Sequence, residues 1–159
     1  MGNTAPARPA VPAGKTRICI SGFGISHNVS RAQQVADIIA STYPDKYETW
    51  YYFSTPGFRA LLKEIKAELP EREMGKESTT DKGTTVATHH SAPFVWFEQA
   101  AGNGNDGKTY NVKGGRDLFC AWAVKEFPND TKIQELAGTG PSLTEVVFNS
   151  NAKGTCASL

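Results

Sequence analysis

The stretch from Ser91 to Trp122 restricts the fold of this chain more than any other. It opens with Ser91-Ala92-Pro93-Phe94-Val95-Trp96-Phe97, a proline leading into a short apolar run. Proline lacks a backbone N–H, so it belongs at the entrance of a strand rather than inside one. The turn cluster Ala101-Gly-Asn-Gly-Asn-Asp-Gly107 follows, and Thr109–Val112 returns as the partner strand, which predicts a hairpin. Lys113-Gly114-Gly115-Arg116-Asp117-Leu118-Phe119 then sets a glycine pair ahead of a helix. That helix is expected from about Arg116 to Phe127, with Leu118, Phe119, Trp122 and Ala123 facing inward and Pro128 stopping it. A hairpin feeding straight into a helix demands a sheet that is at least partly antiparallel, with helices packed on it.

Upstream, the pattern alternates. Arg17–Ser21 is a β-rich run with Ile18 and Ile20 on one face and Cys19 on the other, as in a central strand covered on both sides. Ser30-Arg-Ala-Gln33 has the form of a capping box, and Val35, Ile38, Ile39 and Thr42 recur at helical spacing. Tyr43-Pro44-Asp45 ends that helix, and Tyr47–Phe53 is strongly strand-forming. Thr55-Pro56 reads as a helix start with Thr55 as cap; Phe58, Leu61, Leu62, Ile65 and Leu69 mark one apolar face. The expected fold is therefore α/β in the order β-α-β-α-β-β-α, with a four-stranded mixed sheet whose first crossover makes a parallel pair. Residues 16–127 form the domain, and 70–92 form a polar insertion, functional or partly disordered. The Pro/Ala-rich residues 1–15 and the aperiodic residues 128–159 are read as extended arms, free or laid on a partner.

Composition removes several classes of function. The 17 basic and 16 acidic residues nearly cancel, so no global field draws the chain to nucleic acid or to an anionic membrane. No apolar run approaches the roughly 20 residues that span a bilayer. The N-terminal residues lack the apolar core of a signal peptide, which argues against secretion. Gly2 suggests myristoylation, but Pro6 stands where that pattern wants Ser or Thr. The three cysteines, Cys19, Cys120 and Cys156, form no Cys-x-x-Cys pair and suit free thiols in a reducing compartment. Cys19 and Cys120 sit in apolar patterns as small core residues, and Cys156 is expected to be exposed.

The proline-led strand and the Gly-Gly-Arg-Asp helix start together resemble landmarks of the glutaredoxin/thioredoxin-like superfamily. The chain is most similar to the N-terminal thioredoxin-like domain of cilia-associated malate dehydrogenases of the 1B type. There a strand ending in Gly leads to a Cys-Pro-Tyr-Tyr turn and a helix containing Ala-Asp. Here Gly22 and Ala36-Asp37 keep that spacing, while Ser26-His27-Asn28-Val29 replaces the turn. Pro93-Phe94-Val95-Trp96-Phe97-Glu98 matches the family's Ser-Pro-Ile-Ile-Trp-x-Glu segment, and Gly114-Gly115-Arg116-Asp117-Leu118-Phe119 its Gly-Gly-x-x-x-Phe helix start. The resemblance spans about residues 16–127. No dinucleotide-binding Gly-x-Gly-x-x-Gly unit follows, so dehydrogenase activity is not carried over.

The resemblance implies that Ser26, Pro93, Gly114, Gly115 and Asp117 are vestigial active-site positions, with no catalytic residue, metal or cofactor. A redox-active member needs a thiolate at the mouth of the first helix, where N–H groups and the helix dipole stabilise negative charge. Ser26 stands there, and a hydroxyl cannot exchange with a disulfide. An activated Ser26-His27 pair lacks a third orienting group, so helix capping by Ser26 and Asn28 is the simpler reading. Pro93 is a candidate cis proline that shapes strand entry, and Asp117 suits a helix first turn or the grip of an ammonium group. Phe23 stands where a Lys commonly binds the carboxylate of glutathione. His89-His90 lacks a metal-ligand pattern and reads as loop polarity, and Gly22-Phe-Gly24 is too short for a phosphate loop. The implied function is a non-catalytic structural component of a ciliary or flagellar axoneme, cytoplasmic, held by protein partners, tubulin among them, through its terminal arms. A degenerate glutaredoxin that binds glutathione or another thiol is the alternative, and a binding adaptor without a ciliary role is a third.

Overall fold

The computed structural model describes residues 5–101 and 107–138, and the backbone of 156–158. Its elements are β1 (Thr16–Gly22), α1 (His27–Thr42), β2 (Tyr47–Ser54), α2 (Phe58–Glu68), α3 (Glu71–Met74), β3 (Phe94–Ala100), β4 (Lys108–Gly114), α4 (Arg116–Glu126), α5 (Thr131–Ala137) and β5 (Cys156–Ser158). The fold is α/β around a mixed sheet of order β4-β3-β1-β2-β5. β1 runs parallel to β2 and antiparallel to β3, and β3 and β4 form the expected hairpin. Four long strands match the expected sheet; β5 adds three residues parallel to the β2 edge. Residues 139–155 of the C-terminal arm and the Cys156 side chain lie outside the described residues.

β1 alternates its side chains between two cores, as a strand covered on both faces must. Ile18 and Ile20 meet Val35 and Ile39 of α1, Phe53, Val95, and Phe119 of α4. Cys19 points the other way, among Phe58, Leu61 and Ile65 of α2, Tyr52, Phe94 and Trp96. The second face is only partly roofed by α2, whose 11 residues leave Trp50, Trp96 and Glu98 to be covered otherwise. Residues 5–11 supply that cover. Arg8 lies over the rings of Trp50 and Trp96 at 5.6 and 5.7 Å, and Val11 is buried. Ahead of β1, where an extended arm was expected, the described part of the chain is laid on its own sheet.

Several boundaries differ from the sequence expectation for local reasons. α1 begins at His27, and its cap is Ser26, whose Oγ accepts the Val29 N–H at 3.4 Å; the Ser30 capping box is already inside the helix and buried. α2 begins after Gly57, because Thr55 Oγ1 instead accepts the Gly24 N–H and Ser54 Oγ accepts the Gly57 N–H. The insertion 70–92 contains α3 and a bridge between Glu77 and Thr85, and it buries Ser78, Val86 and His89. Past Pro128, where an extended arm, free or laid on a partner, was expected, α5 starts at an Asp130 cap, Oδ1 accepting the Ile133 N–H at 3.0 Å. Ile133 and Ala137 join the α1–α4 core, and Gln134 Nε2 donates to the Val124 and Phe127 carbonyls, so the packed domain reaches residue 138.

Candidate functional site

Four segments separated in sequence converge on one cleft of about 240 Å³. It is lined by Asn28 of α1, Thr79–Asp81 of the insertion, Ser91–Pro93 before β3, and Gly115–Asp117 at the start of α4. The Ala92–Pro93 peptide bond is cis.

The glycine pair is explained by what passes over it. Gly114 has φ of +85°, and a Cβ there would collide with the Ser78 backbone. The next residue donates its N–H: Gly115 N to Ser78 O is 2.7 Å. The insertion is therefore docked on the Gly-Gly turn, where a side chain at Gly114 would hold it away. Ser78 is fixed again by His89, with Oγ 2.8 Å from Nδ1, while His89 Nε2 lies 2.7 Å from the Ser91 carbonyl. A carbonyl only accepts, so Nε2 carries the proton and the neutral ring receives the Ser78 hydroxyl at Nδ1. Burial, the largest influence, pushes the His89 pKa below its usual value against the favourable Ser91 carbonyl, and Lys66 and His90 add repulsion.

His89, read in the sequence with His90 as loop polarity, and Ser78 of the polar insertion thus hold the insertion on the Gly114-Gly115 turn beside the cleft, without lining it themselves. Nothing local in the sequence marks them, because their partners are 11 or more residues away or are backbone atoms. The glycine pair was the visible half of that contact.

Of the five positions singled out in sequence, Pro93, Gly115 and Asp117 line the cleft, and Gly114 lies beneath Ser78. Ser26 is not a lining residue; its oxygen caps α1, and among the described residues no hydrogen bond joins it to the exposed His27 ring. Asp117 is in the first turn of α4 but makes no cap hydrogen bond; its Oδ1 pairs with Arg116 Nη2 at 2.6 Å. Arg116 Nε, buried at the cleft, has no hydrogen-bond partner. Phe23 packs edge-on against Phe58 at 5.1 Å.

Cys19 and Cys120 are both buried, and neither lines the cleft. Burial raises the Cys19 thiol well above its ordinary pKa, with Glu98 adding to it, and burial pushes Cys120 up to about 11. Both are held as thiols at neutral pH, the unreactive form. Among the described residues no group of three or more His, Cys, Asp and Glu side chains could hold a metal ion, and no helix is long and apolar enough to cross a membrane.

No family model, curated protein or solved structure matches this chain.

Proposed function

We propose that the chain is a thioredoxin-like module that has lost its redox nucleophile and serves as a structural, non-catalytic component of a ciliary or flagellar axoneme. One observation supports the non-catalytic half most directly: the oxygen at the mouth of α1 belongs to Ser26 and is committed to the Val29 N–H, while Cys19 and Cys120 are buried away from the cleft. The sheet order β4-β3-β1-β2, the cis Pro93 at the cleft and the helix that opens beside it suit a thioredoxin-like arrangement. The ciliary half rests on the resemblance of Gly22, Ala36-Asp37, Pro93–Glu98 and Gly114–Phe119 to the cilia-associated domain. Protein partners in a large assembly, tubulin among them, are part of this reading. A tagged copy expressed in a ciliated cell should concentrate along the axoneme, and a uniform cytoplasmic distribution would refute the ciliary half.

A second reading, a degenerate glutaredoxin that binds glutathione or another thiol, is favoured by the cleft itself. Pro93 offers backbone, Asp117 a carboxylate and Arg116 Nε an unspent donor within one cavity. A glutathione titration followed by amide chemical shifts separates the two. Saturable micromolar binding at residues 91–93 and 115–117 supports the second reading, and no shift supports the first.

A further inference from the structure

The outward stripe of α2 takes no part in the cleft. Arg59, Lys63 and Lys66 stand at i, i+4 and i+7, on one side of the helix. The acidic residues of α2 are turned elsewhere: Glu64 and Glu68 face the N-terminal segment, where Glu68 pairs with Arg8 at 2.6 Å. The basic side borders a depression of about 260 Å³ lined by Arg59, Leu62, Lys63, Lys66, His89 and His90, with no carboxylate among them. Leu62 gives it an apolar floor. Lys66 Nζ donates to the carbonyls of Ala87 at 3.0 Å and His89 at 2.6 Å, which fixes the ammonium beside the cavity. Two carbonyls leave a third N–H and a whole positive charge uncompensated. Among the described residues neither Arg59 nor Lys63 pairs with a carboxylate, and both are exposed.

We propose that this face docks an acidic peptide segment of a partner protein, its carboxylates on Arg59, Lys63 and Lys66 and one apolar side chain on Leu62. Charge complementarity selects the partner: cations cluster here without counter-ions on a chain whose formal net charge is only +1. A single-stranded nucleic acid would want exposed aromatic rings to stack on, and the depression presents only imidazoles. A membrane surface would want an exposed apolar wedge, and the exposed large hydrophobic residue among those described is Ile25, ahead of α1 rather than on α2. Pairs at such exposed sites are individually weak and salt-screened, so the affinity is expected at about 0.1–1 mM in low salt.

The proposal does not rest on the ciliary assignment. A tagged copy absent from cilia leaves it standing, and failed peptide binding leaves that assignment standing.

The test is fluorescence anisotropy of a short fluorescein-labelled Glu-rich peptide with one central Leu, titrated with the full chain. Saturable binding is expected, weakened by salt, lost with a Gln-for-Glu peptide, and weakened roughly tenfold by the double variant Arg59→Glu/Lys63→Glu. Amide shifts of the wild type on adding the unlabelled peptide should map to residues 59–66 and 87–90, which decides the matter even where the double variant folds poorly. Unchanged binding by a folded double variant overturns the proposal. So do shifts confined elsewhere, failure of the peptide to saturate, or binding only to inorganic phosphate or phosphatidylserine vesicles.

Discussion

Arg8 Nε lies 2.7 Å from Glu98 Oε2, joining the N-terminal segment to a carboxylate with no solvent exposure. Glu98 is also met by the Trp96 indole at 2.9 Å, Lys108 at 3.2 Å and Arg17 at 3.4 Å. Burial, the largest influence, would raise its pKa, but the Trp96 hydrogen bond, Arg8 and Lys108 together hold it below the usual carboxylate value. Arg8 in turn covers Trp50 and Trp96, so one side chain closes the sheet face and helps neutralise its buried charge.

Truncating Arg8 to Ala should therefore cost about 2–4 kcal/mol, since removal of one partner leaves a buried charge less compensated. Arg17 and Lys108 remain, which keeps the loss from being larger. Urea denaturation measures it, and a loss below about 0.5 kcal/mol, the level of an exposed pair, would show that Arg8 is not an anchor. The pH dependence follows from the lowered folded pKa of Glu98. Its contribution is present above the unfolded value of about 4.3 and is lost as pH falls through the folded value. Glu98→Gln should flatten that acid limb of the stability curve.

Gly114 and Gly115 should respond unequally to the same substitution. At Gly114 an added Cβ meets both a positive φ and the Ser78 backbone, so Gly114→Ala is expected to cost about 2 kcal/mol or more. At Gly115 the nearest atoms to a Cβ are 3.5–3.9 Å away, ordinary contact, and φ is −84°. Gly115→Ala should cost under about 1 kcal/mol. Thermal or urea unfolding of the two variants side by side gives the comparison, and equal losses would remove the insertion docking as the reason for Gly114.

Elements that announce themselves by period or punctuation were legible in the sequence: β1 by its Ile-Cys-Ile alternation, α2 by Phe58–Leu69, the hairpin by its turn cluster, and the α4 start by Gly114-Gly115. The same landmarks, through the family resemblance, singled out Pro93, Gly115 and Asp117, which line one cleft. Two things escaped. α5 is only seven residues long, too short for a period to show, and its signal was the Asp130 cap beyond Pro128. The ordering of residues 5–15 and 70–92 depends on non-local partners, Arg8 on Glu98 and Ser78 on His89 and Gly115. Composition describes such segments as polar or proline-rich whether or not a partner awaits them.

Stability should fall as the medium is acidified through the histidine range. The folded pKa of His89 is depressed, so the unfolded state binds more protons between the two values. The contribution is complete above the unfolded pKa of about 6.5 and is lost as pH drops toward the folded one. On protonation Nδ1 becomes a donor to Ser78 Oγ, and the hydroxyl can turn to the Thr85 carbonyl 3.1 Å away. The cost is thus a buried charge beside Lys66 and His90 rather than a broken network. Urea midpoints measured against pH should show this limb in the wild type and lose it in His89→Gln. A limb that persists in the variant would assign it to another group.

Placing sulfur at the helix mouth should create reactivity there. A thiol introduced by Ser26→Cys sits at the N-terminus of α1, where backbone N–H groups and the helix dipole favour the thiolate. Its pKa should fall below the free-cysteine value of about 8.5, and iodoacetamide should label it at neutral pH far faster than Cys19 or Cys120. Those two are buried with raised pKa values and should label only on unfolding. Loss of the Ser26 cap measures the other side of the exchange: Ser26→Ala should cost about 1 kcal/mol, since its oxygen accepts the Val29 N–H. Site-resolved mass spectrometry of alkylated peptides reads the thiol arm. Equal labelling of residue 26 and Cys19 in the folded variant would mean that the mouth of α1 lacks the anion-stabilising field a redox site requires.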